Sequence, residues 1–190
     1  MTNVWNCWLI CDFHFENVRI AKKLLWKYYG NIVAEIVYSI SIGEAKPDNQ
    51  RYCSIDIGID NLAAVTTNAG YQAYLINGKG LKSVNQYYNK QMSHYRETAK
   101  RMNGRDVTKR MVRMSAKRNR KMEDYMHKTS RKIVKDCVDK DIHTIVIGYN
   151  KGWKREARLG RKVNQSFAGI PTQRLIEMIQ YKAQETGIHV

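Results

Sequence analysis

The segment Ser54-Ile55-Asp56-Ile57-Gly58-Ile59-Asp60-Asn61-Leu62-Ala63-Ala64-Val65-Thr66 constrains the fold more than any other part of the chain. Its apolar and β-branched residues predict two strands, with Gly58 permitting a tight approach between them. Asp56 stands between Ile55 and Ile57, where a strand buried on both faces carries hydrophobic residues. A carboxylate turned inward there costs on the order of several kcal/mol unless it is paired, hydrogen-bonded or bound to a metal. Asp56 is therefore expected in one of two roles: a metal-holding carboxylate, or a strand-ending residue in an Asx-turn with Gly58.

The charge balance narrows the class of partner. The chain has 190 residues and a formal net charge of +16, far beyond what solubility needs. From Lys79 to Lys132 there are 17 Lys and Arg against four acids, so most of the excess lies on one segment. A polyanion is implied, with nucleic acid ahead of an anionic membrane. Hydrophobic content of 43% with only two prolines supports a packed core and argues against disorder. One main domain is expected at this length, with room for a short appended piece. The four cysteines (Cys7, Cys11, Cys53, Cys137) contain no C-x-x-C pair, which argues against zinc and against a disulfide framework. The apolar patch Trp5, Trp8, Leu9, Ile10 is cut short by Asp12, His14 and Glu16, so neither a membrane span nor a cleavable signal is expected. A reducing, bacterial-type cytoplasm is the expected compartment.

Patterning gives an α/β order. Residues 4–15 alternate loosely as one strand, 17–28 fit a helix or a strand, and Ile32 to Ile42 reads as a strand. The polar stretch Ala45 to Asn49 is the expected boundary, dividing a β-rich segment, 1–47, from a core, 48–190. Strands are expected at 52–59, 62–67 and 72–76, with Asn68-Ala69-Gly70 turning the last two. Leu81, Val84, Tyr88, Met92, Tyr95, Ala99 and Met102 recur at helical steps over 81–102, broken by Asn103-Gly104. A second helix spans about 107–140, with Met111, Ser115, Met122, Met126, Ile133 and Cys137 on one stripe. The two helices should pack as an antiparallel hairpin. A strand at 143–147, a basic loop over 148–166 and a helix over 171–186 follow, and Ile188-His189-Val190 begins another strand.

Lys109, Arg110, Arg113, Lys117, Arg118, Arg120 and Lys121 outnumber the nearby acids, so i,i+4 pairing cannot absorb them. Solvated charged faces usually mix signs, which favours phosphate contact here. Arg155, Arg158, Arg161 and Lys162 beside Trp153 form a second basic segment, with an aromatic able to stack on a base. His127 and His143 stand apart from other catalytic residue types and read as surface or packing residues. The four methionines 111, 114, 122 and 126 read as helix-packing filler.

Several of these segments occur in an order shared with one family: Ile55 to Ala63, Lys82 to Lys90, Lys117 to Lys121 with His127 to Arg131, Ile145 to Lys154, and Asn164 to Phe167 before Ile170-Pro171. Over about residues 30–190 the chain resembles TnpB/OrfB, the accessory transposase of bacterial insertion sequences. That resemblance implies a ribonuclease H-like (RuvC) mixed sheet with a long basic helical hairpin. It implies an RNA-guided DNA endonuclease, with guide RNA and DNA as partners and Mg²⁺ or Mn²⁺ as cofactor. The family holds its metal with an aspartate on the first core strand, a glutamate after the fourth, and an aspartate on a later helix. Asp56 matches the first. Gly148 stands where the glutamate usually sits; part of the family shares this pattern and is thought to use a glutamate of the following helix, here Glu177. The third aspartate and the zinc-ribbon cysteines would lie beyond Val190, and the usual N-terminal helical domain is missing or replaced. The resemblance thus implies a C-terminally truncated member.

Two ions roughly 3.5–4 Å apart need several converging carboxylates. Asp56 and Glu177 alone make an incomplete set, and helical periodicity puts Glu177 roughly 145° from its helix's apolar stripe, on a face that suits solvent as well as a ligand. Asp60 reads as a turn residue before Asn61. Two functions stay open: a RuvC-type nuclease fragment impaired as this chain, or a non-catalytic basic module that binds nucleic acid on the same fold.

Overall fold

The computed structural model describes residues 18–28, 31–40, 47–104, 106–148 and 169–190. Two compact units divide the chain between Ser41 and Ile42. In the first, strands β1 (Val18–Tyr28) and β2 (Asn31–Ile40) pair antiparallel, with a register irregularity between Ile20 and Lys22. The ambiguous segment at 17–28 is thus a strand. The strand expected at 4–15 lies outside the described residues.

The second unit contains β3 (Tyr52–Ile57), β4 (Asn61–Thr67), β5 (Tyr74–Asn77), helix α1 (Lys79–Asn103), α2 (Lys109–Asp139), β6 (Thr144–Gly148) and α3 (Thr172–Glu185). The sheet order is β5-β4-β3-β6, with the first three strands antiparallel and β6 parallel to β3. His189 bridges Thr144 in parallel, so the last residues run along the other side of β6. A mixed sheet with a long helical hairpin is the expected architecture, and it is present.

Strand alternation explains which face is buried. Cys53, Ile55 and Ile57 point into the core, while Ser54 and Asp56 point out. Val65, Ala63 and Ile145 extend the inward row across the neighbouring strands. Met122, Met126, Ile133, Val134 and Cys137 of α2 share this core with Leu175, Ile176, Met178, Ile179 and Ala183 of α3. A fully buried Ile55 or Leu175 contributes about 1.5–3 kcal/mol. Gly58 donates its N–H to the Leu62 carbonyl at 3.3 Å, closing the β3–β4 turn. A Cβ on Gly58 would lie 2.7 Å from the Asn61 carbonyl oxygen, so the turn needs glycine.

α1 stops at Gly104, which takes the left-handed conformation with φ 60° and donates back to Lys100. α2 starts at Thr108, whose hydroxyl accepts from the Met111 N–H at 3.3 Å. Tyr88 and Tyr95 of α1 meet Ser115 and Arg110 of α2, so contacts run in opposite chain directions and the hairpin is antiparallel. Met102, expected on the apolar stripe, is exposed in the last turn of α1, as helix ends commonly are.

Two glycines of the α1 start give a paired test. A Cβ on Gly78 would meet the Ile59 carbonyl oxygen at 1.9 Å, whereas one on Gly80 meets nothing within 4 Å. Gly78→Ala should lower unfolding free energy by about 1–3 kcal/mol, and Gly80→Ala should raise it by up to about 1 kcal/mol through helix propensity. Chemical denaturation of both variants checks this; equal effects would contradict the close approach of α1 to the β3–β4 turn.

Candidate functional site

Asp56 occupies the last turn-facing outward position of β3, paired across the parallel ladder with Gly148. Its carboxylate is exposed, which corrects the expectation of an inward charge. The reason is that, among the described residues, β3 packs apolar side chains on one face and exposes the other, so the Ile55-Asp56-Ile57 pattern is a simple in–out alternation. The outward face also carries Ser54, Ala64, Thr66, Leu75 and Val146. Burial therefore gives no energetic argument for metal at Asp56. A Cβ placed on Gly148 would stand 3.8 Å from Asp56 Oδ1, ordinary contact, so a side chain there would face the carboxylate directly. Glycine leaves that partner position empty of functional groups.

Glu177 is exposed on α3 and engaged elsewhere. Arg174 Nη1 lies 3.5 Å from its carboxylate, and Arg174 also bonds Glu123 of α2 at 3.3 Å. Its charge is thus shared in an α2–α3 surface network. Among the described residues no group of three or more His, Cys, Asp or Glu is placed to hold a metal ion. A two-ion clamp draws on several converging carboxylates, more than Asp56 and Glu177 supply by themselves.

The other titratable candidates each have partners of their own. Asp60 pairs with Lys82 at 2.8 Å, and this hydrogen bond holds its carboxyl below the usual range, tying the β3–β4 turn to α1. His143 is buried, with Nδ1 2.7 Å from Thr144 Oγ1 and its ring 4.7 Å from that of His189. His127 is exposed and its carbonyl accepts from Lys182 Nζ at 3.0 Å. Met111, Met122 and Met126 are fully buried.

The basic helix holds the strongest pattern. Starting from Lys109 and advancing 100° per residue, Lys109, Arg113, Arg120, Lys117, Arg110 and Lys121 all fall within an arc of roughly 120°. Every one is exposed, and no acid occurs between Lys109 and Lys121. Met111 and Met122 lie on the opposite side, in the core. The helix is thus anchored by one face and presents a continuous cationic strip with the other.

Arg118 differs from its neighbours. It is half-buried, donating to Asn85 Oδ1 at 2.7 Å and to the Gly169 carbonyl, with its guanidinium 5.6 Å from the Tyr88 ring centre. Burial pulls its pKa below the ordinary arginine range. A Cβ on Gly169 would run into the Asn85 side chain, so this contact is closely fitted. Arg118 ties α1, α2 and the start of α3's approach together, and it is not part of the solvent-facing strip. Trp153, Arg155, Arg158, Arg161 and Lys162 lie outside the described residues.

Residue patterning overlooked a set of tyrosines. Tyr88 and Tyr95 were expected as stripe residues of α1, yet both line a groove against α2 beside the cations, together with the exposed Tyr87. Tyr88 and Tyr95, two helical turns apart on a helix beside a cationic one, were the available signal. No helix among the described residues is long and apolar enough to cross a membrane.

No curated protein is significantly similar to the chain. Among solved structures, one titled "Cryo-EM structure of the Cas12f1-sgRNA-target DNA complex" is similar with a TM-score of 0.53 and 15% identity, covering 87% of this chain and 40% of that one. Another, "Cryo-EM structure of CRISPR-Cas12f Ternary Complex", gives 0.53 and 15%, covering 83% and 31%. The chain therefore spans less than half the length of either, and the likeness establishes a RuvC-like mixed α/β fold. The family OrfB_IS605, described as a probable transposase, matches residues 32–154, which takes in the β3–β4 motif, both long helices and β6. With most of its length matched, the chain belongs to the OrfB_IS605 family of probable transposases.

Proposed function

We propose that this chain is a nucleic-acid-binding RuvC-like core of a TnpB-type, RNA-guided nuclease lineage, impaired in cleavage as it stands. The observation that carries the binding half is the α2 strip: six exposed cations within one arc, without an intervening acid. Such a strip gains by replacing condensed counterions on a phosphate backbone. The partners are DNA and a guide RNA, in keeping with a fold neighbour solved with sgRNA and target DNA. The bacterial cytoplasm is the compartment where such partners meet.

The cleavage half rests on Asp56. It is one exposed carboxylate opposite a glycine, with Glu177 committed to Arg174. Asp56 is the residue that would hold Mg²⁺ or Mn²⁺, with Glu177 as second ligand if its pairing with Arg174 opened. This arrangement also favours the second reading, a non-catalytic regulatory module on the same fold.

Two outcomes follow. The purified chain should show no robust Mg²⁺-dependent cleavage of single- or double-stranded DNA; cutting that vanishes in Asp56→Ala would contradict the impairment. Duplex binding should weaken with salt at a log–log slope near −4 to −5 if about five phosphates are contacted. Replacing Lys109, Arg113 and Arg120 with Gln should reduce that slope by about one unit per lost contact. A salt titration of affinity decides it: an unchanged slope would mean the strip is merely hydrated.

A further inference from the structure

Between α1 and α2 lies a groove of about 250 Å³ whose lining combines three tyrosines with four cations and has no acidic residue. Two of the tyrosines are held in place. The Tyr88 hydroxyl lies 2.9 Å from Ser115 Oγ, and the Tyr95 ring carries the Arg110 guanidinium 4.3 Å from its centre. Tyr87 is different: its side chain is 66% exposed, the most open tyrosine ring among those of the groove. Arg118, at the same groove, is already bound to Asn85 and the Gly169 carbonyl and serves to hold the two helices in position. Arg110, Lys117 and Lys121 are exposed along one side.

This combination has a chemical meaning that the cationic strip alone does not. Cations without aromatics suit the backbone of any nucleic acid, duplex included. An open aromatic face beside them adds a surface for a base, and a duplex keeps its base faces covered by stacking. Single strands offer both groups at once, a phosphate chain and unstacked rings. The preset cation–π contact at Tyr95 also keeps Arg110 extended toward the groove, which reduces the ordering needed on binding.

We propose that the α1–α2 groove is a single-strand subsite, in which Arg110, Lys117 and Lys121 hold phosphates and the Tyr87 ring stacks on an unpaired base. The subsite deepens the nucleic-acid-binding reading above and rests on it. Tyr87 therefore makes the chain sensitive to whether bases are present, and the α2 cations make it sensitive to salt.

The test compares three probes by fluorescence anisotropy: a thymidine oligonucleotide of about twelve residues, an abasic oligonucleotide with the same number of phosphates, and a duplex. The thymidine strand should bind about tenfold more tightly than the abasic one. That difference should disappear in Tyr87→Leu and survive in Tyr87→Phe, which keeps the ring. Lys117→Gln with Lys121→Gln should weaken both single strands together and lower the salt slope by about 1.4, at about 0.7 per lost contact on a single strand. Equal affinity for the thymidine and abasic strands, or a difference that persists in Tyr87→Leu, overturns the subsite while salt-dependent duplex binding leaves the broader reading standing. Absence of salt-dependent binding to all three probes overturns both.

Discussion

The in–out alternation of β3 is the constraint on which the rest of this structure depends. Its inward row, Cys53, Ile55 and Ile57, fixes which side of the sheet α2 and α3 cover. Its pairing, antiparallel to β4 and parallel to β6, brings Asp56 level with Gly148. A slip of one residue would exchange the two faces, burying Ser54 and Asp56 and exposing three apolar residues. The cost of that exchange, several buried side chains at about 1.5–3 kcal/mol each, holds the register. Asp56 is thus placed by the packing of its neighbours, and its own carboxylate contributes little to the fold.

The same core determines what α2 can present. A helix whose one side is occupied by Met111, Met122, Met126 and Ile133 has only the other side for its charges. In its second half the acids return: Lys128 pairs with Asp124 at 2.7 Å and Lys132 with Asp136 at 3.1 Å. The first half has no such partners on its own helix, so its cations repel one another across the exposed face. The contrast within one helix separates a half whose lysines pair with its own carboxylates from a half in which they do not.

Much of this was legible in the residues. Long periodic segments gave both helices, and the β3–β4 motif, with its required Gly58, was readable from apolar alternation and a turn glycine. The parallel neighbour β6 and the short bridge at His189 followed the expected order. Three features were not legible, each for a physical reason. The outward direction of Asp56 was hidden because I-D-I reads identically in a strand buried on two faces and in one buried on a single face. Arg118 was indistinguishable from Lys117 and Arg120 by type; only its partners Asn85 and Gly169, 33 and 51 residues away in the chain, remove it from the cationic strip. Tyr87 lay off the apolar stripe of α1, and its value emerges only when α2 brings Arg110 and Lys117 alongside.

Chemical footprinting tests the central claim most directly, because it reads the α2 face residue by residue in the unmodified chain. Lysine acetylation with and without bound oligonucleotide, followed by mass spectrometry, should show Lys109, Lys117 and Lys121 protected on binding, with Lys128 and Lys132, already paired to carboxylates, little changed. Protection spread evenly over the lysines of α2, or confined to lysines of other elements, would contradict the assignment of the unpaired half of α2 as the nucleic-acid face.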